Sequence, residues 1–132
     1  MFIDASAIVA IIANESDRDE LVGKLKRTKH RSVSPIVVFE AVLALKRIKS
    51  KTHDEVLAIV DEFLKIYAIK KMTMIDFTIT KDALGAYSLF GTGIHPARLN
   101  MGDCFSYACA KKLKQPLLFK GNDFSKTDIQ VA

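Results

Sequence analysis

The chain has 132 residues, with 20 lysines and arginines against 15 aspartates and glutamates, which gives a formal net charge of +5. Apolar residues make up 49% and charged residues 27%, a mixture that excludes a disordered chain and is typical of a globular protein. At this length we expect one domain over residues 1–132, which can bury a core without support from disulfides or metals. The apolar start is too short to span a bilayer, so we expect a cytoplasmic protein with no membrane partner.

The predicted elements alternate between short apolar strands and longer helices. The first half predicts, in order, a strand at 1–4, helices at 5–13 and 17–29, a strand at 31–33, and helices at 35–48 and 52–66. The second half predicts a strand at 71–77, helices at 80–90 and 101–114, a strand at 117–119 and a short last strand at 129–132. Because strands separated by helices form βαβ units, we expect an α/β fold with a mostly parallel central sheet flanked by helices.

Two acidic residues of the first half stand in apolar surroundings. Asp4 ends the first predicted strand, at the edge of a parallel sheet where ligands bind, and helix capping is its structural alternative. Glu40 is the one charged residue of the apolar segment 36–45, which predicts a helix buried on all sides. A buried glutamate needs a partner, and Arg47 stands seven residues away, so an acidic or metal site is favoured over an ion pair.

Two further acids follow in the second half. Asp103 comes three residues after the predicted cap Asn100, where a capping carboxylate also belongs. Asp123 follows the strand at 117–119 by a short turn, and a solvated turn aspartate is its alternative. One shared cause explains the four acids, because carboxylates that repel one another are held together by a hard divalent cation. Mg²⁺ or Mn²⁺ suits them better than zinc, since no histidine or cysteine joins the group.

The motifs that contain these acids resemble those of VapC toxins, which are PIN-domain ribonucleases, over essentially the whole chain. The motifs are the segments 4–7 (DASA), 34–40 (SPIVVFE), 99–104 (LNMGDC) and 117–124 (LLFKGNDF). The resemblance implies a PIN-like fold and an acidic pocket that holds Mg²⁺, with the hydroxyl of Ser6 nearby. The implied acids of this pocket are Asp4, Glu40, Asp103 and Asp123. Many relatives have an aspartate where this chain has Gly121, so the fourth acid is Asp123 or Asp128.

The resemblance also implies an activity and two protein partners. It implies a Mg²⁺-dependent ribonuclease toxin, a homodimer, and inhibition by a VapB-like antitoxin. Basic residues at 24–31 and 46–51 suit a polyanionic RNA, and Arg98 is the best single candidate for a phosphate contact. We expect the dimer to use the helices at 35–48 and 52–66, whose apolar residues exceed what a small sheet can cover.

Two other functions fit parts of the pattern. A phosphatase of the haloacid dehalogenase type also begins with a strand that ends in aspartate, but it needs a second aspartate two residues later, where Ser6 stands. A catalytically silent PIN-like module that binds protein leaves the charge of Glu40 without a purpose. Incubation with RNA and with p-nitrophenyl phosphate, each with Mg²⁺ and with EDTA, separates the three functions.

Overall fold

The fold was obtained as a computed structural model that describes residues 1–132. Four short strands form one parallel sheet in the order β3-β2-β1-β4. They are β1 (Phe2–Ile3), β2 (Ser32–Val33), β3 (Lys71–Met72) and β4 (Leu117–Leu118). Phe2 of β1 pairs with Ser32 on one side and with Leu117 on the other. The expected α/β fold with a parallel sheet is confirmed.

Six α-helices surround this sheet, and a 3₁₀-helix follows β4. The α-helices are α1 (Ala5–Ile12), α2 (Arg18–Arg27), α3 (Pro35–Ile48), α4 (His53–Ile66), α5 (Phe77–Phe90) and α6 (Met101–Leu113), and the 3₁₀-helix is Phe124–Lys126. Short polar side chains cap most of the helix starts by accepting hydrogen bonds from otherwise unpaired backbone N–H groups. These caps are Asp4, Ser34, Thr52, Asp76 and Asn100. None of the helices has the length and apolarity needed to cross a membrane.

The core lies on both faces of the sheet, as a parallel sheet requires. Both residues of β1 and both residues of β4 are buried, and they join one continuous hydrophobic cluster with residues from every α-helix. Phe2 N donates to the carbonyl oxygen of Pro116 and Asp4 N to that of Leu118, each at 2.9 Å. The backbone that leads into Asp4 is therefore fixed by β4.

Two element boundaries differ from the prediction. The strand expected at 71–77 ends at Met72, and α5 begins at Phe77 instead of residue 80. The cause is Asp76, whose carboxylate accepts a hydrogen bond from Ile79 N at 2.8 Å and so starts the helix early. The last strand, expected at 129–132, is reduced to a single parallel bridge between Val131 and Leu117.

The prediction of a helix buried on all sides is wrong for α3. This helix packs against α1, α4 and α6, but Phe39 is 63% exposed and Ile48 is exposed too. In α4, Val56, Val60 and Phe63 are buried in the chain's own core, whereas Leu57 and Ile66 are exposed. The use of α3 and α4 as a dimer surface stays a prediction.

Candidate active site

The candidate site lies at the carboxyl ends of the strands, where strand order reverses around β1. Asp4 follows β1 directly, α3 follows β2, and α6 leads into β4. These three segments surround an open cavity of about 370 Å³. Its polar lining residues are Asp4, Ser6, Glu40, Arg47, Asn100 and Asp103. Three of the four predicted acids, which are up to 99 positions apart in the chain, therefore line one cavity.

Asp4 is held firmly by hydroxyl and amide donors. It is only 3% exposed. Its Oδ2 accepts hydrogen bonds from Ser6 N at 2.9 Å and Ser6 Oγ at 2.6 Å, and its Oδ1 accepts one from Ser106 Oγ at 2.7 Å. Ser6 Oγ in turn accepts a hydrogen bond from Lys120 N at 3.0 Å. Asp4 is thus both the cap of α1 and a fixed carboxylate of the cavity.

We expect Ser106→Ala to destabilise the fold, because it removes a donor from a buried carboxylate. A hydrogen bond to a charged buried group contributes roughly 1.5–3 kcal/mol, and we expect a loss of that order in the free energy of unfolding. Urea denaturation measures it. Ser88→Ala is the matched control, since Ser88 Oγ donates only to an exposed carbonyl of its own helix. Equal effects of the two substitutions would contradict the anchoring of Asp4 by Ser106.

Glu40 projects from α3 toward the first turn of α6 and is half-buried there. Its pKa is raised from 4.5 to about 7, first by burial and then by the negative charges of Asp4 and Asp103. Burial disfavours the charged form of a carboxyl, and nearby like charges add to that effect. The ionised form of Glu40 is therefore uncompensated in the cavity, and a bound cation would stabilise it.

Asp103 is part of a capping box at the start of α6. Asn100 N donates to Asp103 Oδ2 at 2.8 Å, and Asp103 N donates to Asn100 Oδ1 at 3.0 Å. Burial raises the pKa of Asp103 to about 6, the bond from the Asn100 backbone opposes this, and the charges of Asp4 and Asp123 add to it. Asp103 thus caps α6 and is also one of the acids of the cavity.

The other predicted site residues lie outside the cavity lining. Asp123 is exposed at the start of the 3₁₀-helix and caps nothing, but its charge acts on Asp103. Asp128 accepts hydrogen bonds from the Tyr107 hydroxyl and, at 2.8 Å, from Lys111 Nζ. Arg98 is exposed on the loop before α6. Of the two candidates for the fourth acid, Asp123 is the one whose charge raises the pKa of a cavity residue, Asp103.

Two residues of the site were missed by the sequence analysis. Arg47 lines the cavity together with Glu40 because seven residues make two helical turns and bring both to one face of α3. That periodicity was available in the sequence, although it was used only to exclude an ion pair. Ser106, the donor to Asp4, lies 102 positions away along the chain, and no local pattern marks it.

The donors of the cavity fit a hard divalent cation. Asp4, Glu40 and Asp103 supply carboxylate oxygens, and no histidine or cysteine lines the cavity. No three or more histidine, cysteine, aspartate or glutamate side chains lie where they could hold a metal ion together. Mg²⁺ does not need three such side chains, because it keeps several waters and is commonly bound through one or two carboxylates.

Comparison with known proteins places these features in a family. Residues 1–130 match the PIN domain family. The chain is 39% identical to a VapC ribonuclease of Rhizobium meliloti, covering 97% of this chain and 98% of that protein. It is 38% identical to ribonuclease VapC42 of Mycobacterium tuberculosis, covering 100% of this chain and 98% of that protein.

Solved structures share the fold at much lower sequence identity. The crystal structure of Mycobacterium tuberculosis VapC20, described as a toxin that cleaves the sarcin-ricin loop, has a TM-score of 0.78 at 15% identity, covering 99% of this chain and 97% of that one. A toxin–antitoxin complex from Klebsiella pneumoniae has a TM-score of 0.69 at 11% identity, covering 99% and 95%. With the family match over nearly all of its length and full-length relatives near 38% identity, the chain belongs to the PIN-domain family, and within it to the VapC ribonucleases.

Proposed function

We propose that this chain, as one PIN domain acting in the cytoplasm, is a Mg²⁺-dependent ribonuclease toxin that hydrolyses RNA phosphodiester bonds and is inhibited by a cognate VapB-like antitoxin. Mn²⁺ is an alternative ion. The observation that carries the proposal is the cavity lined by Asp4, Glu40 and Asp103, in which the pKa values of Glu40 and Asp103 are raised by burial and mutual repulsion. Its VapC relatives are named ribonucleases.

In the proposed hydrolysis, some acidic side chains hold the ion and another positions the attacking water. When bound, Mg²⁺ would polarise a phosphate oxygen and make a water molecule more acidic. Asp4 and Asp103 would hold the ion, since hydrogen bonds fix both carboxylates. Glu40 would orient the attacking water and accept its proton, a role that a carboxyl with a raised pKa performs well near neutral pH. Asp123 would hold the ion through its waters.

RNA binding would use the basic residues around the acidic cavity. Arg47 lines the cavity and is exposed, and the chain carries a net charge of +5. A basic surface attracts the phosphate backbone, while the cation meets a single phosphate at the cavity. We propose Ser6 and Arg98 as further substrate contacts. Ser6 lines the cavity, whereas Arg98 would reach RNA from the loop before α6.

The phosphatase alternative has less support from the geometry. Such an enzyme needs a second aspartate two residues after the first. Ser6 occupies that position, and its hydroxyl donates a hydrogen bond to Asp4 Oδ2 at 2.6 Å. The second carboxylate that the phosphatase needs is therefore replaced by a hydroxyl donor.

RNA cleavage with Mg²⁺ and with EDTA tests the proposed function. We expect cleavage only with Mg²⁺, and we expect Glu40→Gln to abolish it. Glu62→Gln, an exposed glutamate of the neighbouring helix α4, is the matched control and is expected to cleave like the wild type. Cleavage that persists in EDTA, or phosphate release from p-nitrophenyl phosphate in place of RNA cleavage, would contradict the proposal.

The two candidates for the fourth acid are separated by a matched pair of substitutions. We expect Asp123→Asn to slow RNA cleavage, because it removes the carboxylate that we propose holds the ion through its waters. We expect Asp128→Asn to leave the cleavage rate close to that of the wild type and to lower stability instead, because Asp128 binds Tyr107 and Lys111. Initial cleavage rates and melting curves measure both effects. The reverse ranking of the two rates would assign the fourth acid to Asp128.

We also propose a homodimer and an antitoxin complex. Large apolar residues are exposed along α5 and at the start of α6, namely Phe77 (77%), Leu84 (63%) and Met101 (65%). Exposed apolar surface of this kind is typical of protein interfaces. Light scattering of the purified protein tests the dimer, and a monomer mass at micromolar concentration would exclude it. Growth arrest on expression, relieved by co-expression of a VapB-like antitoxin, tests the antitoxin complex.

A further inference from the structure

We propose that Gly102 is a positioning residue for Glu40: its missing side chain leaves the space that the Glu40 carboxylate occupies against α6. An ideal Cβ built at Gly102 would lie 1.9 Å from Glu40 Oε1, 2.1 Å from Oε2 and 2.2 Å from Cδ. Ordinary van der Waals contact begins at about 3.4 Å. The carboxylate and a side chain at position 102 therefore exclude each other.

The backbone conformation at position 102 does not require a glycine. Gly102 is not among the residues with positive φ, so its conformation is open to any amino acid. It is the second residue of α6, where alanine favours the helix more than glycine does. Local propensity thus argues against glycine here, and the contact with Glu40 is the feature that requires it.

When a Cβ is added at position 102, we expect the Glu40 side chain to move and α6 to stay in place. The first turn of α6 is fixed by the capping box between Asn100 and Asp103, and residues 106–110 in the middle of that helix are buried in the core. Glu40 is half-buried at the cavity wall and has three rotatable side-chain bonds. Alanine at position 102 would therefore displace the Glu40 carboxylate from its place beside Asp103, while α6 keeps its position.

Gly85 provides a matched control in the same fold. It lies inside α5, and a Cβ built there has no atom within 4 Å. Gly85→Ala therefore makes the same chemical change in a helix without any steric conflict. A difference between Gly102→Ala and Gly85→Ala reports the contact with Glu40 and not the loss of a glycine.

The steric claim is tested by the crystal structure of the Gly102→Ala protein without metal. We expect the Glu40 carboxylate to leave the first turn of α6 while the α6 backbone stays in place. An unmoved carboxylate, or a shift of α6 in its place, would overturn the proposal. If Gly102→Ala does not fold, Glu40→Ala/Gly102→Ala must, because it lacks the clashing atoms. A double variant that also fails to fold would overturn the proposal as well.

The consequence for cleavage rests on the proposed function and is tested separately. A misplacement of about 1 Å at a reacting group can cost roughly 100-fold, and we expect Gly102→Ala to lower kcat by that order. Gly85→Ala should cleave like the wild type, because the Cβ added there meets no atom within 4 Å. Wild-type cleavage by Gly102→Ala, or an equal loss in Gly85→Ala, would mean that Gly102 does not act on cleavage through Glu40. If the wild type cleaves no RNA, the proposed function fails, and the crystal structure still decides the steric claim.

Discussion

Asp103→Asn is expected to lower RNA cleavage by more than about 100-fold while leaving the metal-free protein at least as stable as the wild type. Asparagine keeps the shape of the side chain, and its amide oxygen can still accept the hydrogen bond from Asn100 N that closes the capping box. The substitution removes a partly buried negative charge that the charges of Asp4 and Asp123 disfavour. It also removes a proposed ligand of the cation.

Melting curves and cleavage rates of the same preparation measure this prediction. Mg²⁺ should raise the Tm of the wild type, as the binding of a ligand to the folded state requires, but not that of Asp103→Asn. Asp76→Asn is the control, because it makes the same change in the cap of another helix, α5, outside the cavity. If Asp103 were only a cap, Asp103→Asn would lower stability and leave cleavage intact.

The stability of the metal-free protein is expected to fall as the pH rises from about 4 to about 7. The folded-state pKa of Glu40 is about 7 and that of Asp103 about 6, against ordinary values of 4.5 and 3.8. In this window the folded state binds more protons than the unfolded chain, so raising the pH favours unfolding. The stabilisation associated with these two groups is complete below their ordinary values and is lost as the pH passes the raised ones.

Chemical denaturation at several pH values in EDTA measures the slope. The slope should become flatter in Glu40→Gln/Asp103→Asn, which removes both titrating groups. Saturating Mg²⁺ should reverse the trend in the wild type, because the ion binds the deprotonated carboxylates and its stabilisation grows with pH. Stability that rises with pH in EDTA, or an unchanged slope in the double variant, would show that these carboxyl groups are not the ones that titrate.

Much of the fold was readable from the sequence because its helices and strands differ in length and periodicity. The order of elements and the parallel sheet followed from that pattern. The boundary between β3 and α5 did not, because the alternating stretch 71–77 indicates a strand while Asp76 caps a helix from within it. A side chain that competes for the backbone decides such a boundary, and apolar periodicity does not register it.

The site residues that could be predicted from the sequence are those whose charge or position is unusual for the local sequence. Asp4 and Asp103 stand at the ends of elements, and Glu40 is the one charged residue of the apolar segment 36–45, so the local sequence marks each of them. Ser106 and Gly102 are ordinary residues of α6, and their roles depend on contacts with Asp4 and Glu40 from distant parts of the chain. Only the tertiary structure brings those partners together.

The most direct test of the metal site is an anomalous difference map from crystals soaked in MnCl₂, recorded at the manganese edge. We expect one strong peak in the cavity, within coordination distance of carboxylate oxygens of Asp4 and Asp103 and beside Glu40. The peak should be absent from Asp103→Asn crystals treated in the same way. A manganese peak elsewhere on the protein, with none in this cavity, would contradict the assignment of these carboxylates as the metal site.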